Sequence, residues 1–128
     1  MSEEEAKKEL EDKYDEAEEL LKDKDKIEKF LEDLEDKLKT VPKLGDTLAK
    51  VPLMISLVRS YIKKEYTRVP VKTIIAIVGA LLYVFMPIDS IPDSIPLIGY
   101  IDDAAVVNIC LVLISSDLDD YRKWRKNK

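Results

Sequence analysis

Apolar residues recur on one helical face in some stretches of this chain and fill every position in others. Residues 2–40 contain no Gly or Pro, and Leu10, Tyr14, Ala17 and Leu21 recur at four-three-four spacing. Ile27, Leu31, Leu34, Leu38 and Val41 continue the pattern. Each half of this region therefore carries one narrow apolar seam, with charge on its other faces. Lys22-Asp23-Lys24-Asp25-Lys26, polar throughout, separates the seams. Asp25 followed by Glu28 has the spacing of a capping box, which predicts a break there and a second helix from about Lys26. The simpler reading packs these seams on the chain's own core. The other joins them to a protein partner or a second copy in a coiled coil.

Pro42 and Gly45 end this arm, and Asp46 can cap the next helix. Pro52 suits a first helical turn. Leu53, Met54, Leu57, Val58, Tyr61 and Ile62 then form a wide apolar face opposite Arg59, Ser60, Lys63 and Lys64, predicting an amphipathic helix near 52–66. Arg68-Val69-Pro70 breaks it. Residues 73–88, TIIAIVGALLYVFMPI, are sixteen positions without a charge. A helix apolar all the way round must be buried in protein or in lipid. Its length of about 24 Å falls short of the roughly 30 Å hydrocarbon core of a bilayer. Residues 104–116 form a second charge-free run. The two predict an apolar hairpin, with helices at about 71–86 and 103–124. No alternating strand pattern occurs, so the predicted class is all-α: an acidic helical arm over residues 1–45 and a helical domain over 46–128.

Charge sharpens this division. Residues 1–50 hold 11 Lys against 18 Asp and Glu, net −7, while residues 51–128 are net +2. An acidic front half disfavours nucleic acid, whose phosphates require a basic stripe. The chain has no histidine and one cysteine, Cys110, so neither an internal disulfide nor a zinc or Cys–His site is expected. MSEEEAKKELEDK lacks a basic n-region and an apolar h-region, which predicts a cytoplasmic start. Lys63, Lys64, Arg68 and Lys72 precede the first apolar run, and Arg122, Lys123, Arg125, Lys126 and Lys128 come after the second. This asymmetry suits a membrane hairpin with both termini cytoplasmic, and with Tyr61, Tyr66, Tyr121 and Trp124 at interfacial depth. The alternative is a cytoplasmic helical bundle whose hairpin is covered by its other helices.

Between the runs lie only acids. Asp89-Ser90-Ile91-Pro92 and Asp93-Ser94-Ile95-Pro96 repeat a four-residue unit in which Asp caps a short turn and Pro sits where no N–H is needed. Pro87, Pro92, Pro96, Gly99 and Tyr100 read as turn residues, and Asp102-Asp103 as the N-cap and first-turn acid of the last helix. The competing reading gathers Asp89, Asp93, Asp102 and Asp103 around Mg²⁺ or Ca²⁺, which take clustered oxygen ligands. Their spacing is not that of an EF-hand loop. No nucleophile, phosphate loop or substrate pocket is marked, so no catalytic residue, cofactor or small-molecule substrate is assigned.

The order Tyr83, Pro87-Ile88-Asp89, Ile91-Pro92-Asp93, Ile95-Pro96, Gly99-Tyr100, Asp102-Asp103 resembles the signature of the YkvA-like proteins, the DUF1232 domain. The resemblance covers about residues 69–113, with Arg68-Val69-Pro70 and Lys72 fitting the lead-in. Ser94 departs from it, where a larger apolar residue is expected. The resemblance implies a small helical protein, bacterial or archaeal for the most part, often membrane-associated and without an assigned activity. Together these readings point to a non-enzymatic, membrane-associated anchoring or interaction module. A divalent-cation-binding membrane protein and a soluble helical bundle are the alternatives.

Overall fold

A computed structural model describes the backbone of residues 3–39, 48–90 and 96–127, and the side chains of residues 3–39, 49–83 and 105–127. Among the described residues the chain is all helical, with no strand. The order is α1 (Glu3–Glu11), α2 (Tyr14–Leu21), α3 (Lys24–Lys39), a short 3-10 turn (Leu48–Lys50), α4 (Val51–Ile62), α5 (Val71–Ser90) and α6 (Pro96–Lys126).

The N-terminal seams fold back onto the chain. Ala6 and Leu10 of α1, Ala17 of α2, and Ile27, Leu31 and Leu34 of α3 are all buried. α1 packs on α5 and α6, α2 on α5, and α3 on α4. The described seam residues thus pack within the molecule, Tyr14, Leu21 and Leu38 only in part, as the simpler reading expects, and Val41 lies outside the described residues. Each fully buried Leu or Ile contributes about 1.5–3 kcal/mol.

The helix breaks differ from expectation. One falls at Asp12-Lys13, where the Lys13 N–H donates to the Leu10 carbonyl at 3.0 Å. This short i→i−3 bond bends the chain with no Gly or Pro to announce it. The second break lies at Lys22-Asp23, and the cap is Asp23 rather than Asp25. Its Oδ1 accepts the Lys26 N–H at 3.2 Å, so α3 begins at Lys24 and Asp25 sits in its first turn.

α4 buries Val51, Met54, Ile55, Leu57 and Val58, with Pro52 in its first turn. It ends at Ile62, before the expected 66, in a Schellman motif. The Glu65 N–H donates to the Ser60 carbonyl at 2.9 Å and the Lys64 N–H to that of Tyr61 at 3.0 Å. This geometry places Lys64 in the left-handed region, at φ 62°. An ion pair between Arg59 and Glu35 ties α4 to α3.

α5 is the central element, touched by α1, α2, α4 and α6. Ile74, Ala76, Ile77, Val78, Ala80, Leu81 and Leu82 are all buried. The described part of the first apolar run is therefore covered by protein. Among the described residues no helix is long and apolar enough to cross a membrane. α6 lies antiparallel to α5. The Cys110 Sγ–H meets the Ala76 carbonyl at 3.5 Å, and the Thr73 hydroxyl donates to Asp117 Oδ2 at 2.5 Å. At Gly79 a Cβ would lie 3.3 Å from Tyr14 Cδ1 and 3.6 Å from the Leu10 carbonyl oxygen. The missing side chain lets the α1–α2 arm cross close over α5.

Candidate functional site

Of the residues singled out in the sequence, Pro92 and Asp93 lie outside the described residues. Pro87 and Asp89 fall in the last turn of α5, and Pro96, Gly99, Tyr100, Asp102 and Asp103 in the opening turns of α6, by backbone only. Their side chains lie outside the described set. The backbone alone still corrects one expectation. α6 opens at Pro96, so Asp102 and Asp103 sit in its second turn, and Asp102 is not the N-cap. Among the described residues no group of three or more acids or cysteines is placed to hold a metal.

Two of the aromatics expected at an interface sit differently. Tyr66 and Tyr121 are buried in the bundle rather than placed at an interface. The Tyr66 ring lies 5.2 Å from that of Tyr121 and 5.0 Å from that of Trp124. The Tyr121 hydroxyl is within 2.6 Å of Ser56 Oγ and 2.9 Å of Ser60 Oγ, linking α6 to α4. The Arg125 guanidinium stands 6.0 Å from the centre of the Tyr121 ring. Burial, with Asp120 adding to it, pushes the Tyr66 phenol above its ordinary value. A polar hollow of about 430 Å³ opens beside this cluster, lined by Arg68, Asp117, Asp120 and Lys123 among others. Its charges are mixed, two acids against two bases, and select no ligand sign.

A different face carries the unsatisfied chemistry. Large apolar residues are well exposed at three places: Val71 at the start of α5, and Val112 and Leu113 on α6. Two hollows adjoin them. One, of about 610 Å³, is lined by Tyr14, Ile75 and Leu113 with Lys72 at its edge. The other, of about 730 Å³, runs between the end of α2, the end of α4 and the start of α5. Its apolar lining includes Leu21, Ile62, Val71 and Ile75, and Lys22, Lys24 and Lys64 stand around it. Glu18 and Ile75 line both hollows, so the two are neighbours. The sequence placed Lys64 and Lys72 among basic flanks but gave no sign of the groove, which needs three elements distant in the chain.

Cys110 is buried, and burial pushes its thiol up to about 12. A thiol so protonated at neutral pH is not a nucleophile.

Residues 73–109 match the family described as "Protein of unknown function (DUF1232)". Over 69 residues the chain is 44% identical to a Bacillus subtilis protein named "Uncharacterized membrane protein YkvA". That match takes in 54% of this chain and 65% of the relative, just under two thirds of the relative's length. The chain is thus similar to YkvA over about half of its length, and a stretch of it matches the DUF1232 family. No solved structure matches it.

Proposed function

We propose that this chain is a non-enzymatic helical module that associates with a membrane surface, termini on the cytoplasmic side. The observation that carries the reading is the exposure of Val71 and Leu113 at two neighbouring apolar-lined hollows, whose linings also hold Lys22, Lys24, Lys64 and Lys72. Contiguous exposed apolar surface marks interaction sites, and lysines beside it favour anionic headgroups. The naming of the Bacillus relative as a membrane protein supports the same reading. With the described part of residues 73–88 enclosed by protein, the contact is made from the surface of the bundle. Because the described α1–α3 seam residues pack within the molecule, an anchoring or partner-binding role falls to this face and not to the arm.

The four aspartates enter this reading as structural acids, with no cation. Fractionation of cells tests the main proposal. The protein should sediment with membranes and be released by a carbonate wash. Recovery entirely in the soluble fraction, monodisperse without detergent, would overturn it.

A further inference from the structure

The groove between α2, α4 and the start of α5 has a definite polarity. Its lining is largely apolar, with Leu21, Ile62, Val71 and Ile75, and also carries Tyr61, Thr67 and four charged side chains. Three lysines face a single acid, Glu18. Lys22 and Lys24 belong to the first 50 residues, which are net −7, and Lys64 to the remainder, which is net +2. Lys22 pairs with Glu19 at 3.2 Å in an exposed contact, but Lys24 and Lys64 have no ion pair among the described residues. Lys64 holds the left-handed position of the Schellman motif that ends α4, φ 62°, where glycine is the unstrained choice. The volume of about 730 Å³ suits one small-molecule-sized ligand.

We infer that this groove binds the acyl chain of an anionic phospholipid drawn from the bilayer surface, with Lys22, Lys24 and Lys64 at the headgroup. The largely aliphatic lining, with only the Tyr61 and Thr67 hydroxyls besides its charges, suits an acyl chain better than a polar ring or a peptide backbone, and the three lysines select against cationic heads. Val71, which faces both the groove and solvent, is where a chain passing from a bilayer would enter. The inference rests on the membrane reading above and gives it a ligand class.

Short-chain phosphatidylglycerol below its micelle concentration tests the groove, monitored by calorimetry or by amide shifts at Leu21, Ile62 and Val71. It should bind, while short-chain phosphatidylcholine and the glycerophosphate head alone should bind far more weakly. Lys64→Gly is the informative variant, because it relieves backbone strain while removing a headgroup charge. It should melt higher than the parent yet bind the phosphatidylglycerol about fivefold more weakly, and Lys24→Glu should weaken binding at least as much. Equal binding of the two short-chain lipids, or undiminished binding by Lys64→Gly, would overturn the inference. Flotation with phosphatidylglycerol vesicles separates the two readings. If vesicles are bound but the monomeric lipid is not, the groove assignment fails and membrane association stands. If the monomer is bound but no vesicle is, membrane association fails and the groove assignment stands.

Discussion

Burial raises the Cys110 thiol from 9.0 to about 12, and the consequence is a stability that depends on alkaline pH. The unfolded chain loses this proton above pH 9 while the folded chain keeps it. The contribution is therefore complete below pH 9 and declines towards pH 12, by about 1.4 kcal/mol per pH unit. Urea titrations across that window should show a shallower decline in Cys110→Ala than in the parent. Some decline should remain, because Tyr14 and Tyr66 are also raised by burial. At Tyr121 the informative change is Phe. Removing the hydroxyl leaves Ser56 and Ser60 without their shared partner, and thermal melts should show a loss of about 1–2 kcal/mol. Retention of full stability would mean that water replaces the phenol without cost. Tyr121 also shows why sequence placed it wrongly. An aromatic ring with a polar tip beside basic residues suits a bilayer interface, and it suits equally a core whose neighbours supply hydroxyls. Only the position of Ser56 and Ser60, 65 and 61 residues away, decides between them.

Among the elements, α6 carries the clearest reversal. Had Asp102 been the N-cap, alanine would have cost about 1 kcal/mol. With α6 opening at Pro96, residue 102 is inside the helix, where Ala is favoured over Asp by roughly 0.5 kcal/mol. Asp102→Ala should therefore melt at or slightly above the parent, and a chelator should change neither. A marked loss on Asp102→Ala, together with chelator sensitivity in the parent, would revive the cation site. The sequence misled here because Asp102-Asp103 before an apolar run has the form of a helix start. Pro96 has that form too, six residues earlier, and nothing local ranks the two. The seams were legible for the opposite reason: Leu10, Ala17, Ile27, Leu31 and Leu34 share one spacing, and all five are buried. The bend at Asp12-Lys13 was not legible, since it is imposed by the docking of α1 and α2 on α5 and α6 and has no turn residue of its own.

At the scale of the molecule, the question is whether the acidic arm is an appendage or a wall of the core. Charge and composition divide the chain near residue 45, and residues 46–128 hold the family match. The packing runs across that division. α1 lies on α5 and α6, α2 lies on α5, and Gly79 is bare where Tyr14 and Leu10 press against it. An apolar helix stripped of this cover would expose Ile77, Val78 and their neighbours, a patch that drives association. Deletion of residues 1–39 should therefore yield a chain that aggregates or melts without cooperativity, rather than one that merely loses a partner. A point variant guards against trivial misfolding of the truncated chain. Gly79→Leu forces a side chain into the α2 crossing, and overpacking of this kind costs about 1–3 kcal/mol. It should loosen the arm first, seen as early proteolysis at residues 12–23 while the Tyr66–Tyr121–Trp124 cluster keeps its near-ultraviolet signal. If residues 46–128 alone stay monomeric and melt at the parent's temperature, the arm is a separate unit, and the wall described here contributes nothing to the core.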